Sequence, residues 1–498
     1  MPWTKERLEG LVKERLANAR LISVANREPY IHVFDGDEIR MMMPASGLTT
    51  ALDPVMRACG GVWVAHGSGD ADRAAADERG RVAVPPDSPK YTLRRVWLSK
   101  EEEDGYYYGF SNEALWPLCH IAYTRPVFET SDWEQYRKVN QKFADAVLEE
   151  AGSDPALVFV QDYHFALLPR ILKTARPDLV VAQFWHIPWP NREAFRVCPW
   201  QHEILDGLLG NDLLAFHLQH HCNNFLDTVD RAIEARVDYE HFSATRGGST
   251  TLVRPAPISV DPQMVAAALP EDIKREERRI RNRLRLREES IVVGVDRVDY
   301  TKGLPERFRA VDRLLSLHPE MKGKFTLVQI GAPSRMHIST YRRLNDELDA
   351  LADDINWRHG DGSWRPILFL HRHHAPQEIY ALNRIAAACV VSSLHDGMNL
   401  VAKEFVASRT DCRGVLVLSK FTGASRELTD ALHFNPFAVD EFAETLYRAL
   451  IMPPEEQETR MRRMRQQVEE NNVYRWAGTL LSMVGKLADA KQPLETPP

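Results

Sequence analysis

The chain has 498 residues, 44% of them hydrophobic and 27% charged, with a formal net charge of −7. That length exceeds one ordinary core and points to two or three domains, and the interleaved charges argue against a nucleic-acid binder. No apolar run approaches the roughly 20 residues that span a bilayer, so no membrane partner is expected.

The N-terminal stretch Met1-Pro2-Trp3-Thr4-Lys5-Glu6-Arg7 has no apolar segment of signal-peptide type. Cys59, Cys119, Cys198, Cys222, Cys389 and Cys412 are scattered with no CxxC pair, as in a reduced, cytoplasmic protein. His217, His220 and His221 form one cluster and His371, His373 and His374 another. Neither has the spacing of a zinc site, and no metal is expected.

Short apolar runs at 21–25, 62–65, 157–160, 180–185 and 213–217 read as strands. A helix is expected over 133–150, with Tyr136, Val139, Phe143, Ala146 and Val147 on one stripe and Asp132 as its N-cap. Pro255, Pro257 and Pro262 then interrupt both periodicities. Further strands are expected at 291–295, 325–330, 367–370, 389–392 and 415–418. The tail from Pro453 is helical in pattern. Strands apolar on both faces, alternating with helices, predict an α/β protein with parallel sheets covered on both sides. The division expected is an N-terminal domain over 1–256, a second over 257–465, and a C-terminal helix over 466–498 packing back on the first.

The most informative segment runs from Val391 to Glu404. A strand enters the turn Ser393-Leu394-His395-Asp396-Gly397-Met398-Asn399, and the turn opens a helix beginning near Leu400. Strand, loop and helix N-terminus is the arrangement that holds phosphorylated ligands in α/β proteins. The carboxylates of Asp396 and Glu404 suit sugar or ribose hydroxyls, being acceptors only. A structural loop with solvated acids has the same composition.

A second strand end carries Arg297, Asp299, Tyr300, Lys302, Gly303 and Pro305. Arg297 and Lys302 beside a helix start could grip a diphosphate and neutralise charge on a departing phosphate. The bland reading is a surface ion-pair group of Asp296, Arg297 and Asp299. In the first half, strand ends carry Arg27, Asp162 and His186. Such ends in both halves point to a ligand cleft between two domains. Trp63, Tyr107 and Trp116 are aromatics suited to the faces of a sugar ring.

These motifs resemble those of the trehalose-6-phosphate synthases, retaining glycosyltransferases of the two-Rossmann-domain GT-B type. The resemblance rests on Asp396 through Glu404, on Arg297-x-Asp299-Tyr300-x-Lys302-Gly303, on Asp162-Tyr163-His164 and on His186-Ile187-Pro188-x-Pro190. It implies two Rossmann-like domains whose parallel sheets face across a cleft. It also implies that Arg297 and Lys302 hold the donor diphosphate. Asp396, Gly397, Met398 and Asn399 would bind the transferred glucose, with Leu400, Val401 and Ile379 as further donor contacts. Glu404 would take the ribose hydroxyls. His186 would contact the donor sugar near the reaction centre. Asp162, Trp63 and Trp116 would line the acceptor sugar, with Arg27, Tyr107 and Arg335 at its phosphate. Gly47 belongs to an acceptor-side loop, 44–48, in which Ser46 replaces one glycine of the usual pair. Gln161 stands where a histidine is usual, and His374 where an aromatic commonly flanks the donor base.

The implied reaction moves glucose from a nucleoside diphosphate glucose, UDP- or GDP-linked, to glucose 6-phosphate, with no cofactor. The implied product, trehalose 6-phosphate, leads to an osmoprotectant, and a homo-oligomer is compatible. The Asn26-Arg27-Glu28-Pro29-Tyr30 stretch also resembles the glucosylglycerol-phosphate synthases, which use glycerol 3-phosphate. A non-catalytic sugar-phosphate sensor on the same fold is the alternative of a different class.

Overall fold

The computed structural model describes residues 2–15, 19–44 and 47–491. The chain divides into two compact units. One comprises Trp3–Ile258 and the chain from Val473 onward, and the other comprises Ser259–Asn472.

The first unit is built on a ten-stranded sheet. Seven strands run parallel through its centre. In spatial order these are Ser249–Pro255, Leu213–Phe216, Val180–Phe184, Ala156–Gln161, Arg20–Val24, Val62–His66 and Tyr91–Val96. Antiparallel strands finish both edges, Ser243–Arg246 and Arg236–Asp238 at one and Arg81–Val84 at the other. Every position of Ala156–Gln161, Val180–Phe184 and Leu213–Phe216 is buried, as strands covered on both faces require. The register aligns Val24 with Val64 and Val160, and Val160 with Gln183. The residues that follow these strands, Arg27, Asp162 and His186 among them, therefore leave from one carboxyl edge, where open α/β sheets bind ligands.

The second unit carries six parallel strands in the order Ile367–Leu370, Phe325–Ala332, Ser290–Arg297, Ala388–Val391, Val415–Ser419 and Leu432–Phe434. Its core sets Val292, Leu327, Val390 and Val417 of the strands against Phe308, Val311, Leu348 and Phe442 of the helices. Arg297 is the last residue of its strand and pairs with Ala332. The loops that leave after Arg297, Ala332 and Val391 thus share one edge.

Three expectations need correction. The break falls at Ile258/Ser259 rather than at 256/257. Residue 466 lies inside the helix Pro454–Glu470, which buries Met461, Met464 and Val468 and belongs to the second unit. The helix of the first unit is Val473–Lys491, whose Trp476 ring lies 5.9 Å from Phe159 and 5.1 Å from Phe184. Asp132 is no N-cap, because the helix starts at Thr130 behind Glu129. Its carboxyl lies instead against Gly109, where a Cβ would stand 2.2 Å from Oδ2, and burial beside Glu113 pushes it up to about 6. Among the described residues, no helix is long and apolar enough to cross a membrane.

Candidate active site

In the second unit, the strand ending at Arg297 turns through Asp299, Tyr300 and Thr301 into the helix Leu304–Leu317. Gly303 makes the turn with φ +61°, and a Cβ there would stand 2.3 Å from the Ser392 carbonyl oxygen. Both constraints demand glycine. Asp299 organises the turn. Its Oδ1 accepts from the Thr301 amide and hydroxyl at 2.9 and 2.8 Å. Its Oδ2 accepts from Arg335 at 3.0 Å and from the Tyr341 hydroxyl at 3.2 Å. Burial pushes the Asp299 carboxyl up, but Arg335, the Thr301 amide, Arg297 and Lys302 outweigh it and hold the group below its ordinary value. Arg335 touches this buried carboxylate, and Arg297 and Lys302 act on it through their charge.

The Asp396 loop meets this turn directly. Asp396 Oδ2 accepts from Lys302 Nζ at 2.6 Å, from Ser393 Oγ at 3.1 Å and from Asn399 Nδ2 at 3.3 Å. The loop is pinned from behind. The Asp396 amide donates to the Phe421 carbonyl and the Gly423 amide to the Asp396 carbonyl, while Ala424 donates to Met398. Gly423 permits this approach, since a Cβ there would stand 2.0 Å from the Gly397 carbonyl oxygen. Asn399, at φ +97°, caps the helix Leu400–Ser408 through its side-chain oxygen and the Ala402 amide. Gly397 and Met398 are buried, and Leu400 and Val401 are partly exposed on the first turn of that helix.

One turn further on, the partly exposed Glu404 has its carboxyl pushed up to about 7 by burial. Its neighbour Lys403 points inward and pairs with Glu427 at 2.6 Å. Ile379 is partly exposed on the helix Pro376–Ile385. His374, just before that helix, pairs through Nδ1 with Glu378 at 3.1 Å.

In the first unit, exposed Arg27 donates to the Tyr107 hydroxyl at 3.1 Å, and the Tyr107 ring stacks 5.7 Å from His164. Tyr107 stands on a π-helix, Asp104–Leu115, that runs into the short helix Trp116–His120. Buried Asn112 ties this segment down, donating to the Tyr107 carbonyl at 2.6 Å and accepting from the Tyr163 hydroxyl at 2.9 Å. The buried Trp116 ring lies 4.1 Å from His120 and 5.9 Å from Tyr163.

Asp162 adopts φ +70°, and its Oδ1 accepts from the His186 amide at 3.1 Å. His186 Nε2 lies 2.9 Å from Gln161 Oε1. Desolvation pushes the His186 imidazole down to about 3, so it is neutral at physiological pH. Gly47 is the first residue of the helix Gly47–Cys59, while Ala45 and Ser46 lie outside the described residues.

The structure thus brings together Lys302, Asp396 and Asn399 in one unit, with Arg297 at the start of the Lys302 turn, and Arg27 with Tyr107 and Asp162 with His186 in the other. Arg335, expected at the acceptor phosphate with Arg27 and Tyr107, belongs to the second unit. It is buried there, with its guanidinium on Asp299. Trp63 also departs from expectation. It is fully buried mid-strand, with its ring 6.2 Å from Tyr91.

Sequence reading missed the buried polar residues beneath the loops. Arg307, Asp296, Gln329 and Ser392 join under the Lys302 turn, and Glu28, Arg95 and Asp72 join under Arg27. A signal was present for the first group, because Arg307 interrupts the apolar stripe of Leu304, Phe308 and Val311.

One family accounts for nearly the whole chain, for residues 19–486 match glycosyltransferase family 20. The chain belongs to this family. A trehalose-6-phosphate synthase of Mycolicibacterium vanbaalenii is 36% identical over 493 residues, covering 97% of this chain and 98% of that protein. The Mycobacterium tuberculosis trehalose-6-phosphate synthase is 37% identical over 480 residues, covering 94% and 95%. Among solved structures, an E. coli protein bound with UDP-2-fluoro glucose superposes with a TM-score of 0.84 at 30% identity, covering 94% of this chain and 99% of that one. A Burkholderia xenovorans UDP-forming α,α-trehalose-phosphate synthase in complex with glucose-6-phosphate gives 0.82 at 31%, covering 94% and 100%. The family member described here is a glycosyltransferase with the α/β, GT-B fold expected of it.

Proposed function

We propose that this chain transfers glucose, with retention, from a nucleoside diphosphate glucose to glucose 6-phosphate, giving trehalose 6-phosphate and the nucleoside diphosphate. The observation that carries this reading is that Arg297 and Lys302 both lie on the turn that opens the helix Leu304–Leu317, with Lys302 on Asp396. The names of the family relatives, and the donor analogue and glucose-6-phosphate in the two solved structures, support it.

The bond that breaks joins the glucose anomeric carbon to a diphosphate oxygen. The bond that forms joins that carbon to the acceptor hydroxyl oxygen, and the acceptor proton passes to the departing diphosphate. Arg297, Lys302 and the helix N-terminus stabilise the negative charge that develops on the leaving group. Two side-chain cations do the neutralising that a divalent cation does elsewhere, and activity is expected to survive chelation. Asp396 and the Gly397–Asn399 backbone hold the glucose hydroxyls, and Glu404 takes the ribose. With its imidazole neutral, His186 acts as a hydrogen-bonding contact to the donor sugar and not as a general acid. Asp162 and Trp116 line the acceptor, and Arg27 with Tyr107 takes its phosphate.

The six cysteines are unpaired, which suits a cytoplasmic setting beside the nucleotide-sugar pool. The product's two blocked anomeric carbons suit an osmoprotectant precursor. An acceptor panel of glucose 6-phosphate, glycerol 3-phosphate and free glucose, run against UDP-, GDP- and ADP-glucose with product identification, tests the reading. Turnover with glycerol 3-phosphate but not glucose 6-phosphate would overturn it.

A further inference from the structure

Arg307 sits on the fourth position of the helix Leu304–Leu317 and is fully buried. A cation so near a helix N-terminus works against the helix dipole, and burying it costs more. The fold offsets this locally. Its NH1 donates to Asp296 Oδ2 at 2.7 Å and to Gln329 Oε1, and its Nε donates to Ser392 Oγ at 3.0 Å. These three acceptors come from three adjacent strands or their ends. The strand that carries Asp296 leaves room, because a Cβ on its Gly294 would stand 2.3 Å from Arg307 NH1 and 2.2 Å from Gln329 Oε1.

Ser392 passes the constraint on. Its Oγ lies 2.9 Å from the Lys302 carbonyl and 2.9 Å from the Gly303 carbonyl. A hydroxyl has one proton to give. With Arg307 Nε–H on one lone pair, that proton is turned toward the two carbonyls. The Gly303 carbonyl also accepts from the Arg307 amide at 3.0 Å, the first bond of the helix. Arg307 is thus attached to the Lys302–Gly303 turn through its backbone and, by way of Ser392, through its side chain.

We propose that Arg307 and Ser392 are positioning residues that hold the Lys302–Gly303 turn so that the Lys302 ammonium meets the donor diphosphate. This rests on the assignment of Lys302 to the diphosphate. The chain of contact runs from the guanidinium to a hydroxyl to the backbone of the residue that binds, and both side chains are buried.

The test is nucleoside diphosphate binding by titration calorimetry, with UDP and GDP in parallel, on the full chain and on S392A, K302A, the S392A/K302A double variant and R307K. Kinetics and thermal melts accompany each. S392A keeps the Arg307–Asp296 pair and is expected to fold as the parent does. It should weaken diphosphate binding by about tenfold, the worth of one hydrogen bond to a charged group, and raise the donor KM with the acceptor KM unchanged. In the K302A background the same change should cost less than about twofold, because the two residues act through one contact. R307K keeps the charge but cannot span Asp296 and Ser392 together, and it should reproduce the donor-side loss. If K302A weakens binding and S392A does not, or if S392A costs as much with Lys302 absent as present, the positioning role is wrong. If K302A itself binds like the parent, the diphosphate assignment falls and the proposal falls with it.

Discussion

Lys302 and Asp396 stand on loops that leave adjacent strands, and their side chains meet at 2.6 Å. Both residues are proposed to bind the donor, one its diphosphate and the other its glucose. A donor occupying the site therefore has to share Lys302 with Asp396, which links the positions of the phosphate and sugar ends of the ligand.

Lys302→Ala tests that arrangement. Asp396 keeps Ser393 and Asn399 as partners, so the variant should melt within a few degrees of the parent. Removing one preorganised donor to developing charge should lower kcat by roughly 100-fold or more. Steady-state kinetics with melting curves check this, and near-normal turnover would remove Lys302 from the transfer step.

Glu404 gives a prediction with a sign. Burial raises its carboxyl from 4.5 to about 7 in the folded chain. The folded state therefore holds a proton that the unfolded state releases between those values. Stability attributable to this group is highest at low pH, declines as pH rises through that window, and stays low above it. Glu404→Gln should therefore be more stable than the parent at pH 8 by on the order of 1–3 kcal/mol and melt higher, with the difference shrinking toward pH 5. The same variant should bind the nucleoside diphosphate less well at pH 8, because an amide is a poorer partner for two ribose hydroxyls. Equal melting curves at pH 8 would show that the carboxyl is not held up by burial.

The parallel strands were legible because Leu157, Val158, Phe159 and Val160 form a short, unbroken apolar run of the kind that a sheet covered on both faces buries. The Lys302 and Asp396 loops were legible for a related reason: strand, glycine turn and helix start follow one another in sequence. What escaped was set by side-chain direction. Trp63 reads as a sugar platform in a list of aromatics, yet the strand turns it inward onto Tyr91. The π-helix Asp104–Leu115 could not be read from a 3.6-residue period, since its turns are wider, and its Gly109 lies against Asp132 of the helix Thr130–Ala151. Arg307 showed itself only as one charge on an apolar stripe.

Arg335 separates two readings by experiment. The family resemblance puts it at the acceptor phosphate, whereas its guanidinium lies on buried Asp299 at 3.0 Å, with the Tyr341 hydroxyl at 2.5 Å from NH1. Breaking a buried pair by removing one partner costs about 3–5 kcal/mol. Arg335→Ala should therefore lower the melting temperature by several degrees and weaken nucleoside diphosphate binding, as the Asp299 turn loosens. A raised acceptor KM with melting temperature and diphosphate affinity unchanged would return Arg335 to the acceptor phosphate.

Arg27 makes the complementary case in the other unit. It is exposed, and among the described residues its guanidinium donates to the Tyr107 hydroxyl at 3.1 Å. Deleting an exposed side chain of this kind changes stability by no more than about 0.5 kcal/mol. The loop beneath it is held independently, by the Arg95 guanidinium on Glu28 at 2.8 Å and on Asp72 at 2.8 Å. Arg27→Ala should therefore melt like the parent and raise the glucose 6-phosphate KM by about tenfold or more, the loss of a charge-assisted contact to phosphate. Tyr107→Phe, which removes only the hydroxyl, should raise it less. Nucleoside diphosphate affinity should be the same in both variants and the parent. If the two substitutions leave the acceptor KM unchanged, the acceptor phosphate is bound elsewhere, and the pairing of Arg27 with Tyr107 serves only to fix the π-helix against the first strand's end.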